Sequence, residues 1–173
     1  MNKILILGNS GSGKSTFASS LANILQIDYL HLDKLVYPVS WDKPEHENME
    51  KEVSGFLQRD SWIVDGNYLN HALERFSLCD TIFFLDINRF VCLHSVIHRK
   101  NKYKGKQRES RSAKVDEKIN ASFIKWVFID FYRTSRHKIK QIIETNQNNK
   151  TIIIFKTRKQ VNKYLKEISS KWK

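Results

Sequence analysis

Apolar residues crowd into short uninterrupted runs, "KILIL" at 3–7, "WIVD" at 62–65, "TIFFLD" at 81–86 and "TIIIF" at 151–155, with a shorter one, "DYLHL", at 28–32. Continuous apolar runs without alternation suit strands covered on both faces. Between them the spacing switches to threes and fours, which predicts helices over 15–25, 45–57, 68–76, 89–99 and 115–144, and a last one around 161–168. The segment 115–144 mixes its spacings through Ile119, Phe123, Val127, Phe131, Ile139 and Ile142, and reads as one helix or two. Strands that alternate with helices build a parallel sheet, so the expected fold is three-layer α/β with five parallel strands. No repeat and no linker of small residues interrupts the pattern, and a single domain over 1–173 is expected.

The first strand run breaks into "GNSGSGKST", residues 8–16, which fits G-x-x-x-x-G-K-[ST] between a strand and a helix. Glycines at 8, 11 and 13 let successive backbone N–H groups converge on phosphate oxygens at a helix N-terminus. Lys14 is expected to reach the β- and γ-phosphates, and the Ser15 hydroxyl to ligate Mg²⁺. Gly8, Ser10, Gly11, Ser12, Gly13, Lys14, Ser15 and Thr16 are therefore the candidate contacts to a nucleoside triphosphate.

Ligands of open parallel sheets bind beyond the carboxyl ends of the strands. Three aspartates stand at such ends: Asp33 after "YLHL", Asp65 closing "WIVD" and Asp86 closing "IFFLD". Any of them suits metal support or proton work in phosphoryl transfer, and any of them also suits a turn or a helix cap. His31 beside the same sheet end suits substrate contact or a structural hydrogen bond equally.

The formal net charge of +12 points to a polyanionic partner, with nucleotides, nucleic acid and anionic lipid all qualifying. The excess is concentrated in "RKNKYKGKQRESR", residues 99–111. Cys79 and Cys92 have no metal-ligand or disulfide-framework spacing and are expected as buried free thiols. The opening apolar run is too short for a secretory segment and no stretch approaches spanning length, so a soluble cytoplasmic protein without a membrane partner is expected.

"GNSGSGKST", "HLD", "WIVDGNY", "TIFFLD" and "KWVFIDFYRTSR", in this order, resemble the DNA topology modulation (FlaR-like) protein family, one of the adenylate-kinase-like P-loop groups. The resemblance covers nearly the whole chain and implies an adenylate-kinase-like P-loop NTPase fold. It also implies that Asp65 supports Mg²⁺ through water, and that Asp33 is the acceptor-side aspartate, in contact with the acceptor or acting as its base. Arg99 falls where such kinases place an arginine at the root of a lid; four residues earlier, where a further arginine is usual, this chain has Ser95. The turn after the last strand, Lys156 to Arg158, falls where the nucleotide base lies, and ATP as the nucleotide is implied by the resemblance alone.

Residues 100–113 lack apolar periodicity and read as a lid-like basic insertion, with Arg99, Arg108 and Arg111 closing over phosphates. The same charges, with Tyr103 among them, suit nucleic acid or a solvated loop. Beyond this block, Asp130 and Arg133 are spaced for an ion pair, and Arg133 and Arg136 suit phosphate contact. The leading expectation is an ATP- and Mg²⁺-dependent phosphotransferase of the nucleotide or small-metabolite kinase type with an unidentified acceptor. The alternative is a nucleotide-gated DNA-binding protein, which the charge favours and the lack of a base-reading element disfavours.

Overall fold

The computed structural model describes residues 1–36, 46–71, 73–102 and 119–172, with the backbone alone at 46–49, 71, 101 and 102. Five strands, β1 (Lys3–Gly8), β2 (Tyr29–His31), β3 (Trp62–Asp65), β4 (Thr81–Leu85) and β5 (Thr151–Phe155), form one sheet in the order β2-β3-β1-β4-β5. All four pairings are parallel, with Ile6 beside Asp65 and Gly8 beside Leu85. The chain thus reverses its direction of travel at β1, which opens a crevice beyond the end of that strand.

Alternate residues of each strand face opposite sides, and both sides are apolar. Ile4, Ile6, Phe83 and Leu85 meet Phe17, Leu21 and Leu25 of α1 (Lys14–Leu25) and Val161 and Ile168 of the C-terminal helix (Arg158–Lys171). Leu5, Leu7, Val64 and Phe84 meet Val53 and Leu57 of α3 (His46–Leu57) and Ile139 and Ile143 of a helix over Ser135–Asn146. Three layers result, as the unbroken apolar runs require. The edge strand β5 is the exception, since Ile154 is 41% exposed and only one side of its backbone is paired.

The remaining helices are α2 (Leu32–Val36), α4 (Leu73–Leu78) and α5 (Arg89–Lys102). The segment expected as one helix or two is a chain of short pieces in its described part: α6 (Ala121–Lys125), a π-helical turn (Trp126–Asp130), α7 (Phe131–Arg133) and α8 (Ser135–Asn146). The C-terminal helix, α9, begins at a reciprocal cap in which Thr157 accepts from the Gln160 N–H and Gln160 accepts from the Thr157 N–H. Cys79 and Cys92 are buried free thiols, as expected. Among the described residues no helix is long and apolar enough to cross a membrane. Most of the basic insertion, with Arg108, Arg111 and Tyr103, lies outside the described residues.

Candidate functional site

At the end of β1 the backbone turns through Gly8, Gly11 and Gly13 at φ of 150°, 78° and 101° and enters α1. Gly11 has no alternative. A Cβ there would stand 2.3 Å from the Cys92 carbonyl oxygen of α5, at a φ that other residues rarely adopt. Lys14 folds back so that Nζ donates to the Asn9 carbonyl at 3.0 Å. Asn9 is buried and donates from its amide to the Val127 carbonyl at 2.7 Å, tying the loop to the π-helical turn. Ser12 is buried too, and its hydroxyl finds no hydrogen-bond partner among the described residues. Ser10 and Ser15 are partly buried and Thr16 is exposed.

Strand β3 delivers Asp65 beside the loop, fully buried. Tyr29 donates its phenol to Asp65 Oδ2 at 2.9 Å, and His31 brings Nδ1 to 3.1 Å of the same oxygen, off the line of a well-formed hydrogen bond. Burial pushes the Asp65 pKa upward, but His31, the Lys14 charge and the Tyr29 hydrogen bond outweigh it, so the carboxyl lies below its ordinary range. Burial above all, and then the Asp65 charge, raise the phenol of Tyr29.

Asp33, at the start of α2, is 46% exposed and accepts from the Tyr68 phenol at 2.7 Å. His31 Nε2 stands 3.9 Å from its other oxygen, so one imidazole lies between Asp65 and Asp33. The turn after β3 completes this corner. Asn67 accepts from the Gly8 N–H at 3.1 Å and donates to the Gly8 carbonyl at 2.9 Å. Beneath the turn, the buried Arg75 of α4 donates to the Tyr68 carbonyl at 3.0 Å and the Asn67 carbonyl at 3.3 Å, and burial draws its pKa down to about 10.

On the other flank, Arg158 at the start of α9 donates from Nη2 to the Gly11 carbonyl at 2.8 Å and to Ser95 at 2.5 Å. The expected nucleotide residue therefore reaches the loop itself, through a side-chain contact. Arg99 is partly buried on α5. Lys156 turns away to Asp86 at 2.5 Å, and Arg136 holds Asp86 through Nε at 2.6 Å and Nη2 at 2.8 Å. Asp86 is buried and both partly exposed cations engage its carboxylate, so of the uses left open for Arg136 and Asp86 the structure shows the ion pair. The Asp130–Arg133 pair does not form; Arg133 is exposed, and the Asp130 carbonyl accepts from Thr134.

Of the site residues expected from sequence, the loop, Asp65 and Asp33 converge at one end of the sheet, joined by Arg158. Tyr29, Asn67 and Arg75 were not singled out. Tyr29 shares a strand face with His31, which is the signal available for it, whereas Arg75, between Glu74 and Phe76 on a mixed helix, offers none. Magnesium takes hard oxygen donors and keeps several waters. The Ser15 hydroxyl is such a donor, and the buried Asp65 Oδ1, which no hydrogen bond from the described residues reaches, is the kind of atom that a metal-bound water satisfies. Among the described residues no group of three or more His, Cys, Asp or Glu could hold a metal unaided.

A scan against protein-family models gives no match, and a search of curated proteins gives none either. Among solved structures the chain is similar to a shikimate kinase from Acinetobacter baumannii in complex with shikimate. The TM-score is 0.63 at 14% identity, over 99% of this chain and 94% of that one. The fold is that of the P-loop NTPases. The particular resemblance to DNA topology modulation proteins gains no support from these comparisons.

Proposed function

We propose that the chain is a P-loop phosphotransferase that binds ATP with Mg²⁺ and transfers a phosphoryl group to a small acceptor held near Asp33. The observation that carries the reading is the joining of a glycine turn, closed onto a helix N-terminus with Lys14 at its mouth, to a buried carboxylate one strand away. Transfer of a phosphoryl group needs positioning and charge stabilisation more than covalent chemistry. The loop N–H groups and Lys14 would bind and orient the phosphates, with Arg158 beside them. Ser15, and Asp65 through water, would hold Mg²⁺, which when bound neutralises charge on the phosphates.

Asp33 is the acceptor-side group because it is the strand-end carboxylate with solvent access, whereas Asp65 is buried and Asp86 is neutralised. Its hydrogen bond from Tyr68 fixes one oxygen, so the other, with His31 Nε2 3.9 Å away, would take or orient an acceptor hydroxyl proton. Arg99, Arg108 and Arg111 would add charge from the basic insertion. Calorimetry with ATP, with and without Mg²⁺, tests the nucleotide reading. A transfer screen over nucleosides, nucleotides and small alcohols, shikimate included, identifies the acceptor. Failure to bind ATP in either condition sinks the proposal.

A further inference from the structure

The two oxygens of Asp65 are treated differently by the protein. Oδ2 receives the Tyr29 phenol at 2.9 Å and has His31 Nδ1 at 3.1 Å, while Oδ1 is buried and receives no hydrogen bond from the described residues. The asymmetry follows from strand register. Residues two apart on a strand share a face, and β2 lies beside β3 with His31 opposite Asp65, so Tyr29 and His31 both reach the same side of one carboxylate. Their rings lie 6.3 Å apart at 30°, nearly parallel, like two posts against one rail. The terminal torsion of an aspartate is broad and two-fold, and burial alone does not decide which oxygen faces the ligand. A fixed donor does.

We propose that Tyr29 is a positioning residue of the metal corner: its phenol pins Asp65 Oδ2 so that Oδ1 is the oxygen turned to a water of a nucleotide-bound Mg²⁺. The inference rests on the ATP and Mg²⁺ reading above and adds to it a residue that neither the loop motif nor the strand-end aspartates point to. Partners of this outer kind act by orienting the group that touches the metal's water, and their loss typically weakens metal affinity about 10- to 100-fold. His31 supports the same oxygen but also approaches Asp33, so its replacement would disturb both halves of the site. Tyr29 separates the two effects.

The test is Tyr29→Phe in the full chain, with ATP affinity measured by calorimetry in EDTA and over a series of Mg²⁺ concentrations, beside a thermal melt. The expected result is an ATP Kd in EDTA within about twofold of wild type, and a loss of about tenfold in the tightening that Mg²⁺ produces. Asp65→Asn should lose that tightening too, and the double variant should be no worse than Asp65→Asn alone, because the phenol acts through the carboxylate. A second pair guards against misfolding: Tyr29→Gln, whose amide still donates, should retain more of the Mg²⁺ effect than Tyr29→Leu. Wild-type Mg²⁺ dependence in Tyr29→Phe, with only the melting temperature lowered, would overturn the inference and leave the kinase reading standing. Additive losses in the double variant would overturn it as well. If wild-type protein binds ATP with no gain from Mg²⁺, the metal reading itself fails and takes this inference with it.

Discussion

Lys14 spends its ammonium on the Asn9 carbonyl, a neutral partner that a phosphate oxygen readily displaces. Lys14→Ala should leave the fold intact by circular dichroism and weaken ATP binding about 10- to 100-fold by calorimetry, the worth of one or two charge-assisted contacts. Equal affinity would remove the loop from the nucleotide site. Asp33→Asn keeps the side chain's shape and can still accept from Tyr68, but it gives up proton acceptance. ATP affinity should hold while transfer to the identified acceptor falls about 100-fold or more; an unchanged kcat would take the base role away from Asp33. The loop was legible because its residues are contiguous and each has its place in one short motif. Tyr29, Asn67 and Arg75 act on Asp65, Gly8 and the turn after β3, at sequence separations of 36, 59 and 7 to 8, and the two longer contacts depend on which strands become neighbours. One chain without register does not reveal them.

At the scale of elements, the three-way cluster of Asp86, Arg136 and Lys156 joins the end of β4 to α8 and to the β5–α9 turn. Burial raises the Asp86 pKa, but hydrogen bonds from Arg136 and Lys156 and the charges of both more than offset it, so the folded-state value lies below the ordinary one. A carboxyl depressed in this way contributes its full stability above its unfolded pKa of about 4 and loses it as the pH falls through the folded value. Thermal melts from pH 7 to pH 2 should therefore show less acid sensitivity in Asp86→Asn than in wild type. At neutral pH the variant should be less stable by about 2 kcal/mol, because both cations are partly exposed and can rehydrate. A parallel pair of melting curves would refute this. Strand positions were legible from apolar runs alone, with ends within a residue or two. The apolar run of β5 read as a strand covered on both faces, yet Ile154 is 41% exposed, because a run records local composition and not what packs against it. The 115–144 segment was ambiguous for a related reason: the π-helical turn shifts the apolar phase midway.

Across the whole molecule, a charge of +12 allows two uses of the basic insertion, and one variant separates them. With Arg108 and Arg111 both replaced by Ala, a lid that closes on phosphates should lose phosphoryl transfer by on the order of 10³-fold while duplex DNA affinity stays level. A surface that tracks a phosphate backbone should instead lose DNA affinity, with the log–log salt slope shallower by about one for each contact removed, and turnover should hold. The kinase reading expects the first pattern and is abandoned for the DNA-binding one on the second.

The strand order also governs when the site can exist. The glycine turn precedes its supports in the chain by long stretches: Asn67 is 59 residues downstream of Gly8, Val127 is 118 beyond Asn9, and Arg158 is 147 beyond Gly11. Parallel pairing cannot be satisfied locally, and β1 waits for β3 to cover one of its edges and for β4 to cover the other. During synthesis, then, the glycine turn of residues 8–13 is made well before the groups that brace it, the Val127 carbonyl and Arg158.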